Sequence, residues 1–283
     1  MNLIDAMIRE AHDLDPLPAS ATRLAAIFAS ADWELSDVVD AIALDPALTS
    51  RVLRLANSAA VSGVETITSV ERAVQRIGGG SILVLTIGAA TQGTLSQSMP
   101  EYGVDEGVLW KHSGASALAA ELAPGFCKAK VPPEAFAAAL LHDVGKIVLC
   151  RHLKPEVFEL LAEAEARGGV DALNAEIEVL EVHHGELGGL IAQHWKLPEI
   201  IVKGISFHHA PDACLDPRER LVCDAVCVAD AAATSCGFGI GNSVSDPAAP
   251  VRARKRLRMS DAGFTKLGEA LTERLEEVLA QYD

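Results

Sequence analysis

The chain has 283 residues, 49% of them hydrophobic, 22% charged and only 4% aromatic, and its formal net charge is -15. That length supports one large domain or two small ones with a proper core, and the charge sets the protein as a whole against nucleic acid and anionic membranes. Abundant alanine and leucine, with few aromatics and few β-branched runs, favour helices packed closely on small side chains, so the expected fold class is all-α.

No apolar run reaches the roughly 18 residues of a membrane span, and the opening MNLIDAMIREAHD is too acidic and too broken for a signal peptide. Cys127, Cys150, Cys214, Cys223, Cys227 and Cys236 are scattered without CxxC spacing. In a chain of this length that pattern reads as reduced and cytoplasmic, not as a disulfide framework. Cys223 and Cys227 share one helix face, make half a zinc site at best, and are expected in the core.

In LPASATRLAAIF, Leu17, Ala21, Leu24, Ala25 and Phe28 fall on one helical face. Asp45 before Pro46 is an N-cap with proline at the first helical position, and Leu48, Val52, Leu55 and Ala59 form the apolar stripe that follows. Thr68 and Glu71 have capping-box spacing ahead of VERAVQRI, which should stop at Gly78, Gly79 and Gly80. Five helices fit the first hundred residues, SILVLTIGAATQGTL being the last.

The turn-rich SQSMPEYGVDEG separates an N-terminal helical lobe, residues 1–98, from a second lobe, residues 99–236. Helices of the second lobe should begin near Gly107, Pro132, Pro155, Asp171, Gly185 and Pro198, with a further one through RERLVCDAVCVADAAATSC. Residues 237–259 read as a linker and 260–283 as a final amphipathic helix. RARKRLR gathers Arg252, Arg254, Lys255, Arg256 and Arg258. It reads as a solvated segment offsetting nearby carboxylates and is the sole candidate for a nucleic-acid patch.

LLHDVGKIVL, Leu140 to Leu149, sets His142, Asp143 and Lys146 among aliphatic residues, where unpaired polar groups are expensive. Read as one buried helix, it points adjacent side chains about 100° apart, so both can flank one ion, and Lys146 returns to that side a turn later. Metal-ligand residue types recur at His112 in VLWKHSGASAL, His184 in VHHGELGG, His208 and His209 in ISFHHAPD, and Asp230 in VCVADAAA. Each alone has a plain explanation as a hydrogen-bonded core or surface group. Together they suggest one metal site assembled from several helices. Mixed imidazole and carboxylate ligands suit iron, manganese, cobalt or magnesium, and such a site would activate a water for attack on phosphorus. The competing reading is a metal-free polar knot of His142 and Asp143, with Lys146 snorkelling at the surface.

The order of a helix histidine, then HD, then HHxP, then a VAD helix resembles the HD superfamily of metal-dependent phosphohydrolases. LPASATRLAAIF, LDPALTSRVLRLANSA, ITSVERAVQRIGG, ALLHDVGKIVL and HGELGGLIAQHWKLPEIIVKGISFHHAPD, in that order, resemble an HDOD domain, the HD-related output domain of bacterial signalling proteins. The resemblance implies a two-lobed, multi-helical HD-like architecture. It also implies kinship with HD-GYP phosphodiesterases of cyclic-di-GMP. By that likeness His112 matches their early helix histidine, His142 and Asp143 the HD pair, and Lys146 the lysine. His184 matches the HxxxG histidine, His208 and His209 the double histidine, and Asp230 the final aspartate.

Two departures count against cyclic-di-GMP hydrolysis. After His209 the chain runs APDACLDPRER where a glutamate and a GYP loop would follow, and Val108 stands one turn before His112 where a glutamate ligand can occur. The expected function is a signal-transduction output module acting through contacts with signalling proteins, with no membrane or nucleic-acid partner. The alternative is a metal-dependent phosphohydrolase acting on a nucleotide or other phosphate ester, with His142 and Asp143 on the metal and Lys146 on a phosphate oxygen.

Overall fold

A computed structural model describes residues 3–30, 32–57, 66–100, 104–152, 163, 172–240 and 246–279. Among the described residues every regular element is a helix, and extended backbone pairs only at the isolated bridge between Met99 and Val104. The all-α expectation holds.

The first hundred residues form α1 (Leu3–Asp13), α2 (Ala19–Ala29), α3 (Leu35–Ala43), α4 (Pro46–Ala56), α5 (Val70–Leu83) and α6 (Ala89–Leu95), one helix more than the five expected. Leu17, Ala21, Leu24, Ala25 and Phe28 are all buried. The Asp45 carboxylate caps α4, accepting from the Leu48 N–H at 3.0 Å and from Ser20 Oγ at 2.8 Å, with Pro46 at the first position. Leu48 and Val52 are buried and Leu55 half-buried, while Ala59 lies outside the described residues. The cap of α5 is Ser69 rather than Thr68: Ser69 Oγ accepts from the Arg72 N–H at 3.3 Å, because the helix begins one residue later than the Thr68–Glu71 spacing indicates.

At Gly78 the backbone leaves helical geometry, with φ 77° and ψ 161°, as the glycine run requires. Helical geometry then resumes at once. Gly79 is needed for a different reason: a Cβ there would lie 2.4 Å from the Phe28 ring.

The second set comprises α7 (Val108–Leu122), α8 (Glu134–Leu141), α9 (Gly145–His152), α10 (Ala172–Leu180), α11 (His184–His194), α12 (Glu199–Ser206) and α13 (Pro217–Ala233). The helix expected near Pro155 lies outside the described residues. α8 and α13 pack on each other and each packs on α7 and α12, and α11 packs on α9 and α12. α1 crosses to pack on α9 and α11, and the Trp195 indole donates to the Asp15 carbonyl at 3.0 Å. The beginning of the chain is thus tied to the second set of helices.

LLHDVGKIVL is not one helix. α8 ends at Leu141 and α9 starts at Gly145, and His142, Asp143 and Val144 form a tight turn between them. In it Val144 N–H donates to Leu141 O and Lys146 N–H to Asp143 O, each at 3.0 Å. The cause lies across the interface. Gly145 presses on the start of α11 so closely that a Cβ would sit 1.9 Å from His184 O and 2.7 Å from Gly188 N.

The stretch read as a linker carries a helix, α14 (Ala249–Arg256), packed on α13. Arg256 forks onto the Asp224 carboxylate, Nε to Oδ2 at 2.8 Å and Nη2 to Oδ1 at 2.6 Å, and Arg252 reaches Asp212 and Asp246 at 2.7 Å each. Arg254 pairs with Asp261 at 3.2 Å, leaving Lys255 and Arg258 exposed. These carboxylates hold the basic run in helical form. The chain continues into α15 (Asp261–Leu279), whose Leu267, Leu271 and Leu275 are buried.

All six cysteines are free, with Cys223 and Cys227 buried on α13 as expected, and burial pushes both thiols up. Among the described residues one helical run, Pro217–Phe238, is long and apolar enough by overall length and composition to cross a membrane, although Asp224 and Asp230 interrupt its apolar residues. Its apolarity has an internal cause, since it packs on α7, α8 and α12.

Candidate metal centre

Separate elements deliver the predicted residues to one place. α7 supplies His112, the α8–α9 turn His142 and Asp143, and the first turn of α9 Lys146. His184 is the first residue of α11, His208 and His209 follow the end of α12, and Asp230 lies near the end of α13. The HD pair therefore reaches the centre from a turn, not from one helix face. His112, His142, Asp143, His184 and His208 are buried, His209 is 9% exposed, and the Asp230 side chain is 14% exposed.

Hydrogen bonds fix how the imidazoles face. Nδ1 of His112 meets Phe238 O at 2.8 Å, Nδ1 of His142 meets Ala139 O at 2.7 Å, and Nδ1 of His208 meets Ile205 O at 2.6 Å. Nδ1 of His184 meets Glu176 Oε2 at 2.7 Å. Carbonyl and carboxylate oxygens only accept, so each Nδ1 carries the hydrogen and each neutral ring keeps its lone pair on Nε2. Those lone pairs point inward. His112 Nε2 and His142 Nε2 stand 3.1 Å apart, and His208 Nε2 is buried with no hydrogen-bond partner. His184 Nε2 lies 2.9 Å from His209 Nε2.

Two lone pairs facing each other at 3.1 Å repel unless a proton or a cation lies between them. A proton is disfavoured on His112, because burial and the neighbouring His142 lower its pKa below the ordinary imidazole value. Burial first, and then adjacent imidazoles, hold His208 and His209 well below that value. The donor set therefore fits a metal cation, since metal ligation takes neutral imidazole and ionised carboxylate.

The ligand atoms form overlapping groups, two outer ones joined by a third, His142, Asp143 and His208, whose ligand atoms also lie within 4.8 Å of one another. Those of His112, His142 and Asp230 lie within 4.8 Å of one another, as do those of His184, His208 and His209. Asp143 Oδ2 is 3.4 Å from His112 Nε2 and 3.6 Å from His142 Nε2, whereas Oδ1 is 3.3 Å from His184 Nε2. One carboxylate thus turns an oxygen toward each outer group. Burial raises the Asp143 pKa, but the Lys146 ammonium and the surrounding imidazoles outweigh it and hold the carboxyl well below the usual range.

Lys146 is not a snorkelling surface lysine: it is 2% exposed, with Nζ 2.7 Å from Asp143 Oδ2. Burial would release its proton, and Asp143 reverses that and raises its pKa. Nor do His142 and Asp143 form a closed polar knot. His142 Nε2 is 3.6 Å from Asp143, beyond hydrogen-bond reach, and Nδ1 is committed to Ala139 O.

Sequence reasoning missed Glu176. It is fully buried on α10 and accepts from both the ring and the backbone N–H of His184. The signal was present: in ALNAEIEVL, Leu173, Glu176 and Leu180 share one helical stripe and all three are buried. A carboxylate in that stripe needs a partner.

This helical arrangement, with histidines and aspartates in this order around one centre, defines an HD-type protein. The family model for the HDOD domain matches residues 14–211, and the chain belongs to that family, which is related to HD-superfamily proteins of signalling. Every candidate ligand except Asp230 lies within the matched segment. An uncharacterized protein of Treponema pallidum (strain Nichols) is 29% identical over 202 residues, 70% of this chain and 38% of that protein, so the chain spans well under half of that relative. The fold is similar to that of a candidate signal transduction protein of Marinobacter aquaeolei VT8, with a TM-score of 0.74 at 21% identity over 98% of this chain and 64% of that one. It is similar also to a candidate phosphohydrolase of Shewanella amazonensis SB2B, with a TM-score of 0.64 at 26% identity over 95% of this chain and 94% of that one.

Proposed function

We propose that this protein is a signal-transduction output module of the HDOD type, acting through protein–protein contacts with signalling proteins, whose second set of helices is organised around a two-metal centre. The metal part rests on one observation: the Nε2 lone pairs of His112 and His142 face each other at 3.1 Å with both Nδ1 hydrogens already committed. His112, His142, Asp143 and Asp230 would hold one ion, and Asp143, His184, His208 and His209 the other. An imidazole-rich set suits iron, manganese or cobalt and suits magnesium least, because magnesium prefers oxygen ligands and retained water.

A module rather than an enzyme is supported by closure of the centre. Its ligands other than Asp230 are 9% exposed or less, which leaves a substrate little way in. After His209 the chain goes into a short turn at Pro211–Ala213 and then the Asp216 cap of α13, with no GYP loop. Val108 puts a hydrocarbon where a further oxygen ligand could stand.

Elemental analysis of protein purified without chelator or metal-binding tag should find about two transition-metal ions per chain; none would overturn the metal reading. A signalling partner captured from cell extract should survive Asp143→Ala and be lost on Leu44→Asp or Trp33→Ala. Leu44 is 73% and Trp33 40% exposed in the N-terminal helices. Capture that depends on Asp143 and not on that surface would overturn the contact reading.

The second reading, a metal-dependent phosphohydrolase, is favoured by the filled ligand set and by Lys146 at its edge. Bound ions would supply an activated water there, with His142 and Asp143 holding them and Lys146 meeting a phosphate oxygen. A panel of cyclic dinucleotides, nucleoside phosphates and a generic phosphodiester, with added manganese or iron, decides it. Turnover abolished by Asp143→Ala supports the enzyme, and equal background rates dispose of it.

A further inference from the structure

We propose that Glu176 is the positioning residue of the metal position formed by His184, His208 and His209, and that its carboxylate decides whether the centre holds one ion or two. The inference rests on the metal reading above and adds a residue outside the ligand set.

One oxygen does two jobs. Glu176 Oε2 accepts from Nδ1 of His184 at 2.7 Å and from its backbone N–H at 2.8 Å, so ring and main chain of a single residue are clamped to the same atom. His184 opens α11, where N–H groups lack intrahelical acceptors and the helix dipole favours negative charge. The clamp leaves the His184 ring little freedom about either χ angle and aims Nε2 at the centre, 3.3 Å from Asp143 Oδ1 and 2.9 Å from His209 Nε2.

The tether differs in kind from those of the other rings. His112, His142 and His208 each give their Nδ1 hydrogen to a neutral backbone carbonyl, whereas His184 gives its hydrogen to a carboxylate. A carboxylate behind an imidazole raises its strength as a donor and fixes its tautomer, and loss of such a partner typically weakens metal binding about 10- to 100-fold. Glu176 is fully buried, and both N–H groups of His184 converge on its one oxygen.

The two positions are therefore unequal in a way that predicts selectivity. The position at Asp230 has two carboxylates, Asp143 and Asp230, and two imidazoles on carbonyl tethers. The position at His184 has three imidazoles and a single direct carboxylate oxygen, so it relies on the charge of Glu176 one bond further out. Removing that charge should empty the second position and spare the first.

Cobalt(II) titrated by calorimetry into the full metal-free chain, with elemental analysis after gel filtration, tests this on wild type, Glu176→Gln and Asp230→Asn. Wild type should take two ions. Glu176→Gln should weaken one site about 10- to 100-fold and leave the other at its wild-type affinity, while Asp230→Asn should weaken the opposite one. A folded Glu176→Gln protein that keeps both affinities, or loses both together, overturns the role of Glu176 and leaves the metal centre standing. Wild type that takes up no cobalt overturns the metal reading itself. A measurement on wild type keeps the proposal falsifiable if Glu176→Gln does not fold. In the metal-free protein the His184 Nδ1 proton, held by a carboxylate, should resonate downfield of those on His112, His142 and His208. Four equivalent resonances overturn the inference.

Discussion

Gly145→Ala tests the structural basis of the centre more sharply than removal of any ligand. The added Cβ would lie 1.9 Å from His184 O and 2.7 Å from Gly188 N, both main-chain atoms that cannot rotate aside. Restoring ordinary contact at 3.4 Å requires the α8–α9 turn and α11 to part by the difference, 1.5 Å. Overpacking costs about 1–3 kcal/mol where side chains can give way, and with backbone as the obstacle the expected loss is about 3 kcal/mol or more. The same displacement separates Asp143 Oδ1 from His184 Nε2, now 3.3 Å apart, whereas metal–ligand distances tolerate only about 0.2 Å. Urea unfolding should show a lower midpoint at unchanged slope, and elemental analysis should show loss of the ion at His184. A Gly145→Ala protein with wild-type midpoint and full metal content would refute the close-approach argument.

Three further outcomes follow from the geometry. In the metal-free protein, His112, His208 and His209 have pKa values below that of the unfolded chain, near 6.5. Above that pH both states are neutral; below it the unfolded chain takes up protons that the folded rings refuse, so stability falls as pH drops. The limit is about 1.4 kcal/mol per pH unit for each ring, and a urea midpoint that stays flat from pH 7 to 5 would contradict it. Asp143 adds nothing in this window, since its depressed pKa matters only below 3.8. Asp45→Ala removes the α4 cap and the Ser20 contact and should cost about 1 kcal/mol by chemical denaturation; an unchanged midpoint would show the cap to be idle. Arg256→Ala strands the buried Asp224 carboxylate, now held by a two-pronged ion pair. It should cost about 3 kcal/mol, with most of the loss restored in the Arg256→Ala/Asp224→Ala pair.

What could be read from the chain followed from whether the deciding contact was local. Asp45 and Pro46 announce α4 because cap and first turn are neighbours in sequence, and the Ala- and Leu-rich stripes announce helices for the same reason. The cluster of candidate ligands could be read because histidines and aspartates stand in apolar surroundings at His112, His142, Asp143, His184, His208, His209 and Asp230. The turn at His142 to Val144 could not be read, since what breaks the helix is the contact of Gly145 with His184 O, 39 positions along the chain. RARKRLR looked like a solvated linker because the carboxylates that order it, Asp212 and Asp224, belong to other elements. Glu176 looked like one acid among many until its stripe-mates Leu173 and Leu180 proved buried.

A buried centre of this kind can serve an interaction module without turnover. Its candidate ligands come from elements as far apart as His112 and Asp230, 118 positions in the chain, and the imidazoles of His112, His142, His184 and His208 are anchored from behind by a backbone carbonyl or by Glu176. An ion held there would cross-link α7, the α8–α9 turn, α11, the end of α12 and α13, and the free energy of binding it would add to that of folding. Since α1 packs on α9 and α11, order imposed at the centre reaches the beginning of the chain as well. The metal reading and the module reading therefore do not compete. What separates module from enzyme is access, and access is set by Asp230, the most exposed of the candidate ligands. A substrate would have to enter past that residue, so bulk placed beside it, as in Thr234→Trp, should abolish turnover in an enzyme and leave metal content and partner binding unchanged in a module.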